Sequence, residues 1–600
     1  MEKADEKHWK KISALRDPFN DAVNYRSRQE KEFFNQIFLR TDDLFQSLRS
    51  SVFFLIGEKG SGKTAYASYL ENNEIEENRC KLSTMTESQY KRFMQMKRSG
   101  KLDYSDYANI WRPMLLAMMA QAIIIKSKGF IQGITGKFDA IENQVKSFNR
   151  ETLNPEVEVA FELVTQATDK FMAGNEKAAK VESSDQLTSS DKSTIIKHHL
   201  LEKETNLKEA ISDLKLKKNH ILFIDGIDYR PEDVPYVDYL ACIKGLGEAS
   251  WQLNSEFFSN IRDSPGRIKI VLLVRPDVFH SLNLYNSNSK LRDNSVLLDW
   301  STTESELRQS KLYEAADLYF SKQQSFKSSA LSAADHYLSA STSNEIFKQF
   351  LRRSFQKPRD LLTLIRLIKE VSTKRLQRGN EDRFSSDVMR NPAFTREYAD
   401  YMLGEVKNYA AFYMPASDFV KYMKFFQYMD GKAEFKFADF SAAFERFRGW
   451  INGEELSATE YIRDPEALLQ LFYDVNIIGY REEVGQEGER HYHFAYRERT
   501  LTNVAPQIKL TASLMINPGL AKALDIGLRA RAGATTTKDG DRRRRNHRRK
   551  MHSRQKKSQK LSDPAIKATT PSDMPASNPL QPNINRNGKS PPKRPNSPKK

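Results

Sequence analysis

The segment GEKGSGKT, residues 57–64, has the residue types and the spacing that bind nucleotide phosphates. Its Gly57, Gly62, Lys63 and Thr64 satisfy the pattern G-x-x-x-x-G-K-[ST]. Glycines let the backbone turn so that successive N–H groups face phosphate oxygens, and a following helix adds the positive end of its dipole. We therefore expect ATP as the ligand, with Mg²⁺ as the metal. The predicted phosphate-binding residues are Gly57, Glu58, Lys59, Gly60, Ser61, Gly62, Lys63 and Thr64.

Two carboxylates and one arginine follow other apolar runs. ILFIDGID places Asp225 after four consecutive apolar residues and Asp228 three positions later. A magnesium site needs a carboxylate at the end of a neighbouring strand, so Asp225 is the predicted metal ligand together with Thr64. Asp228 could orient the attacking water or act as the base, or it could cap a turn. After IKIVLLV, Arg275 could sense the γ-phosphate, or form a surface salt bridge.

The elements that must hold these residues are visible as short apolar runs. Residues 51–56, 220–225 and 268–274 are nearly continuous in apolar character, which is typical of parallel strands buried on both faces. The predicted fold class is α/β, a P-loop NTPase with a parallel sheet. The predicted divisions are a helical lead-in over 1–45, an ATPase core over 46–300 with a helical insertion at about 85–215, a helical lid over 301–405, a winged-helix-like domain over 410–505, a connector over 506–535 and a disordered basic tail over 536–600.

The net charge of +17 belongs mainly to the end of the chain. Residues 538–600 contain 19 Lys and Arg against four Asp, which leaves only about +2 for the other 537 residues. The run RRRRNHRRK is dense enough to bind nucleic acid by replacing counterions, or it could be a solvated end. No amphipathic helix or lipidation motif supplies a second membrane anchor, so no membrane partner is expected.

The beginning of the chain and its cysteines indicate a cytoplasmic protein. The first residues, MEKADEKHWKK, carry charges where a secretory signal would need an apolar core. Only Cys80 and Cys242 occur, too few for a disulfide framework or a thiolate metal cluster.

The motifs GEKGSGKT, ILFIDGID, LLVRPD and KPRDLL together resemble the STAND and AAA+ branch of P-loop ATPases. More narrowly, FFLIGEKGSGKTAYASYL, SDYANIW and LDW look like a bacterial family of stand-alone P-loop ATPases, often found in mobile or phage-defence regions. The likeness covers about residues 15–505. It implies that Lys63 and Thr64 are the Walker A pair, that Asp225 is the magnesium carboxylate and Asp228 the second acid, and that Arg275 is the sensor arginine.

The resemblance also implies a helical lid that contacts the nucleotide through Pro358 and Arg359. The chain departs from the family pattern at Gln356, where a glycine is usual, and at Tyr229, where a glutamate is common. The second departure implies slow turnover, as in a switch held by ATP rather than a fast motor.

The first functional expectation is an ATP-hydrolysing switch that couples its nucleotide state to a partner. The predicted catalytic residues are Lys63, Asp228 and Arg275. Two alternatives stay open: a nucleic-acid-binding module in which ATP is only a structural ligand, and a scaffold for an effector protein in which ATP sets a homo-oligomeric state.

Removal of residues 538–600 should leave ATP turnover unchanged and abolish most nucleic-acid affinity, because the deletion removes +15 of the +17 charge. Binding of duplex DNA by the full chain should be insensitive to sequence, with a log–log salt slope approaching about −0.9 per neutralised phosphate. A salt series on both chains measures this. Equal affinity and slope would assign nucleic-acid binding to the folded body.

Overall fold

The computed structural model describes residues 9–85, 90, 107–128, 141–143, 189–231, 234–284, 287–326, 332–338, 345–484, 489–503 and 505–527. They all belong to one compact unit, Met1–Arg531. The predicted basic tail and most of the predicted helical insertion lie outside the described residues.

A parallel sheet lies at the centre of the first half of the chain. Its strands are β1 (Phe54–Gly57), β2 (Asn78–Thr84), β3 (Asn219–Asp225), β4 (Ile268–Val274) and β5 (Ser295–Leu298). They stand in the order β2-β3-β4-β1-β5, and every neighbouring pair is parallel. The predicted α/β class with a parallel sheet is confirmed. The sequence did not indicate β2, where polar residues interrupt the run, or β5, which has four residues.

Strand order decides which residues meet at the edge of this sheet. Strand β4 lies between β1 and β3, pairing with both in parallel register. The carboxyl ends of the three strands therefore lie side by side, which is where parallel sheets bind ligands. Those ends lead into Gly57, Asp225 and Arg275.

Helices and two hydrophobic clusters cover the sheet. Along β1, Leu55 belongs to one cluster, and Phe54 and Ile56 belong to the other. This alternation is the period of two expected for a strand buried on both faces. In chain order the helices are α1 (Arg28–Ile37), α2 (Asp42–Leu48), α3 (Lys63–Asn72), α4 (Tyr107–Lys128), α5 (Ser189–Ser212), α6 (Tyr236–Gln252), α7 (Pro276–Ser281), α8 (Ser287–Asn294), α9 (Lys311–Ser321), α10 (Ala333–Leu338), α11 (Glu345–Arg353), α12 (Pro358–Lys374), α13 (Pro392–Ala410), α14 (Ala416–Met423), α15 (Phe437–Ile451), α16 (Pro465–Asp474) and α17 (Ala495–Glu498).

Helix α4 is the one described helix that is long and apolar enough to cross a membrane by length and composition. In its most apolar window, however, 78% of the helix is buried inside the protein. It packs against α5, α6 and β3, and Trp111 donates from Nε1 to the carbonyl of Cys242 at 3.0 Å. Its apolar composition is accounted for by these contacts with the protein.

A second, antiparallel sheet organises the C-terminal part. Its strands are β6 (Glu434–Phe435), β7 (Ile478–Val484), β8 (Glu489–His493) and β9 (Ser513–Ile516), in the order β6-β9-β7-β8. The order of elements along this part of the chain is α14, β6, α15, α16, β7 and β8. The segment expected to be a connector supplies β9, which joins β6 to the hairpin. This segment forms a strand rather than a connector because its apolar side chains Leu514 and Ile516 are buried in the core.

Replacement of Leu514 by alanine should lower the free energy of unfolding by about 2–5 kcal/mol, because the side chain is fully buried between two strands. Urea unfolding measures the change. Leu201→Ala is the matched control, because this leucine on α5 is 48% exposed and should cost little. Equal small effects at both positions would show that β9 adds little to the fold.

Candidate functional site

The loop between β1 and α3 turns through two glycines in the left-handed region. Gly60 has a φ of 84° and Gly62 a φ of 98°, values that side-chain-bearing residues rarely adopt. Helix α3 begins at Lys63, immediately after the second glycine. The N–H groups of a helix's first turn lack intrahelical partners, so this end of α3 suits an anion.

The Lys63 ammonium is buried and held against its own loop. Nζ donates to the carbonyl oxygens of Gly57 at 2.7 Å and Glu58 at 3.2 Å. Burial lowers the pKa of Lys63, and the nearby carboxylates of Asp228 and Asp225 partly oppose this shift. A buried cation beside two carboxylates is well placed to exchange carbonyl contacts for phosphate oxygens.

Thr64 and Asp225 meet directly, as the sequence predicts for a metal site. Thr64 Oγ1 donates to Asp225 Oδ2 at 2.5 Å, and the other carboxylate oxygen accepts from the Gly226 N–H at 2.8 Å. Burial, followed by the charge of Asp228, raises the pKa of Asp225. Within the described ranges no three His, Cys, Asp or Glu side chains form a metal cluster. Two protein oxygens fit Mg²⁺, which takes its other ligands from phosphates and water.

Asp228 belongs to the same cavity as the loop and Asp225. Burial opposes ionisation of this carboxyl, but the positive charges of Lys63, Arg275 and Lys59 outweigh it and lower the pKa of Asp228. An ionised carboxylate beside the phosphate loop can accept a hydrogen bond from a water molecule.

Arg275 lies near these groups but is held in a buried ion pair. Its guanidinium is fully buried and contacts Asp277 with two nitrogens, Nε at 3.0 Å. It also donates to the Tyr409 carbonyl at 3.2 Å and lies 3.7 Å from the centre of the Tyr409 ring. The salt-bridge alternative from the sequence therefore exists, but in the interior rather than on the surface. Contact with a γ-phosphate would require this pair to open.

A cavity of about 270 Å³ runs from the phosphate loop into an apolar chamber. The predicted site residues that line it are Lys59, Gly60, Gly62, Lys63, Thr64, Asp225, Asp228, Pro358 and Arg359. Four predicted residues do not line it: Gly57, Glu58, Ser61 and Arg275. Sequence reasoning did not identify the chamber, whose walls include Phe19, Tyr25, Phe34, Phe38, Trp300 and Tyr319. For Phe19, Tyr25, Phe34 and Phe38 the sequence predicted only a helical lead-in over residues 1–45.

The start of α12 packs onto the phosphate loop. The Arg359 N–H donates to the Gly60 carbonyl at 3.4 Å, and Arg359 Nε donates to the Asn20 carbonyl at 3.3 Å. Gln356 has a φ of 53°, so it keeps the left-handed backbone that favours glycine at this position. Its side-chain oxygen accepts from the Thr302 N–H at 2.9 Å, which holds this turn in place.

Two further contacts hold the loop at Ser61 and at Glu58. Trp300 donates from Nε1 to the Ser61 carbonyl at 2.8 Å. Arg499 donates to Glu58 Oε1 at 2.5 Å and to the Asp474 carbonyl at 2.9 Å, and the Arg499 and Glu58 side chains are 3% and 11% exposed. The sequence gave no signal for this ion pair, whose partners lie 441 residues apart.

Comparisons of the chain with protein-family models, with curated proteins and with solved structures found no match. The resemblance to STAND and AAA+ ATPases therefore stays a prediction that rests on the motifs.

Replacement of Arg499 by alanine should lower the free energy of unfolding by about 1–3 kcal/mol, because the buried Glu58 Oε1 would lose its donor while the Lys357 ammonium stays 3.8 Å from Oε2. Urea unfolding followed by tryptophan fluorescence measures the loss. Arg463→Ala is the matched control, because that side chain is 76% exposed and pairs only with Asp464 among the described contacts.

The double variant Glu58→Gln with Arg499→Met tests the cause. Removing both charges should restore part of the stability that Arg499→Ala loses, since no carboxylate is left without its donor and the remaining loss is the 3.8 Å ion pair of Lys357 with Glu58. The double variant is compared with Glu58→Gln alone and Arg499→Met alone. If its loss of stability equals the sum of the two single losses, the loop and Arg499 are not energetically coupled.

Proposed function

We propose that this chain binds ATP with Mg²⁺ at the loop of residues 57–64 and hydrolyses it slowly, as a nucleotide-dependent switch. The observation that carries the proposal is the two-ended cavity. Lys63, Thr64, Asp225 and Asp228 lie at its charged end, and aromatic and aliphatic side chains line the other end. Phosphates and magnesium suit the first end, and a nucleoside suits the second.

Each polar residue at the charged end has a distinct role in this proposal. Lys63 exchanges its contacts with the loop carbonyls for β- and γ-phosphate oxygens. Thr64 and Asp225 would hold Mg²⁺, which would supply positive charge to offset the phosphates. Asp228 accepts a hydrogen bond from the attacking water and orients it. An aspartate reaches less far than a glutamate, which favours slow turnover.

The switch would operate through the segments that contact the phosphate loop. Arg359 from α12 touches Gly60, and Arg499 from the C-terminal part pairs with Glu58. We propose that α12 belongs to a lid and that residues 410–505 form a winged-helix-like module, as their order of helices and strands supports. Phosphates entering the loop would change the field at both contacts, and so bias the position of these segments.

The described part of this module favours packing against the ATPase core over insertion into DNA. The end of the module contacts the core through the ion pair of Arg499 with Glu58, and Glu482 and Glu483 on β7, beside the hairpin turn, would repel phosphates. Nucleic-acid binding is therefore the second candidate function, and the observation that favours it is the +15 charge of residues 538–600.

Lys63→Ala should remove most ATP affinity or turnover, because a methyl group cannot counter the phosphate charge gathered by the loop. Isothermal titration and a phosphate-release assay measure both. Lys374→Ala is the control, since this exposed lysine contacts only Glu370 among the described contacts. Turnover at the unsubstituted rate in Lys63→Ala would refute the site.

Asp228→Asn separates binding from hydrolysis. It should bind ATP nearly as well as the original chain but release phosphate more slowly, because an amide is a poor acceptor for the water's proton. Unchanged phosphate release would exclude Asp228 as the residue that orients water.

A further inference from the structure

One side chain of the apolar chamber presents an unsatisfied polar atom. Asn20 lines the cavity, and its Oδ1 is buried without a hydrogen-bond partner. Its backbone carbonyl is occupied by Arg359 Nε at 3.3 Å, which ties this residue to the start of α12. A buried amide oxygen without a partner is costly, so it marks a place where a ligand donor would stabilise the complex.

The other polar groups at this end of the cavity are already paired within the protein. The Tyr25 hydroxyl accepts from the Phe19 N–H at 3.2 Å, and the Tyr319 hydroxyl donates to the Arg16 carbonyl. Tyr66 shares a hydrogen bond with Thr41, and Asp21 accepts from the Val23 N–H. Among the described residues that line the cavity, Asn20 alone has a buried side-chain oxygen or nitrogen without a partner.

The surroundings of Asn20 suit a flat aromatic ligand. Phe19, Tyr25, Phe34 and Phe38 come from the lead-in segment, and Leu361 and Ile365 come from α12. Such walls bind the faces of a base without regard to its identity, as apolar surfaces do. Discrimination between bases must therefore come from a polar group that reads the edge of the ring.

We propose that Asn20 is a specificity-determining residue that selects adenine. Its Oδ1 accepts from the exocyclic amino group, and its amide nitrogen donates to an adjacent ring nitrogen. This bidentate match is the one that asparagine makes with adenine in other recognition sites. Guanine places an oxygen where adenine carries the amino group, so it would face Oδ1 with a second acceptor. The proposal rests on the proposed function, because it assigns the base to the chamber and the phosphates to the loop.

The test is the ratio of ATP to GTP affinity, measured by isothermal titration with Mg²⁺ on the full chain. The unsubstituted protein should prefer ATP by about 10-fold or more, as expected for one bidentate contact. Asn20→Ala should bring the two affinities close together. Asn20→Asp should weaken ATP binding, since a carboxylate cannot donate to the adenine ring nitrogen and repels its lone pair. Asn24→Ala is the matched control, because Asn24 is exposed, lies four residues away and does not line the cavity.

The outcomes separate this inference from the proposed function. If ATP binds in a Lys63-dependent way but GTP binds equally well, or if the ratio in Asn20→Ala is the same as in the original chain, selection by Asn20 is refuted while the ATP site stands. If the unsubstituted chain binds neither nucleotide, both proposals are refuted. A change of ratio in Asn24→Ala equal to that in Asn20→Ala would show that the lead-in segment acts only through its fold.

Discussion

The ion pair between Glu58 and Arg499 is the contact on which the arrangement of this protein depends. Removing two charges from water is costly, and the cost is offset only when the partners meet with good geometry. Arg499 also donates to the Asp474 carbonyl, so the end of α16 is drawn to the same point. The phosphate loop therefore cannot take its described conformation independently of the last part of the fold.

Hydrogen bonds to the backbone of the loop bring other distant segments of the chain to the site. The loop offers backbone carbonyls, and Trp300 and Arg359 supply donors to Ser61 and Gly60. Buried carbonyls need partners, so each contact fixes one more segment around the loop. The lead-in segment closes the remaining side, which turns a surface loop into one end of a cavity. A ligand that competes for any of these contacts would act on several segments together.

Buried charges of both signs lie close together at the site. Lys63 lies beside Asp225 and Asp228, whose pKa values are shifted in opposite directions. Arg275 contributes to the field at Asp228 while its own guanidinium stays paired with Asp277. Its described role is to join β4 to the end of α13 through Tyr409. The described hydrogen bonds of Arg275 therefore hold parts of the fold together, and none of them reaches a residue that lines the cavity.

The sequence by itself determined the candidate loop of residues 57–64, the carboxylate Asp225 after β3 and strand β4, because each is encoded in contiguous residues, the first two by spacing and the third by its apolar run. The α/β class followed from the same apolar runs. Only the tertiary structure decided that Arg499 reaches the loop, that Asn20 faces the chamber and that β9 completes the second sheet. The local sequences around Asn20 and Arg499 carry no mark of these roles, and the short apolar run of β9 does not say which strands it joins. Asn20 and Arg499 acquire their roles from partners hundreds of residues away, and β9 acquires its role from neighbouring strands. Packing, hydrogen bonding and desolvation select such partners only once the chain has folded.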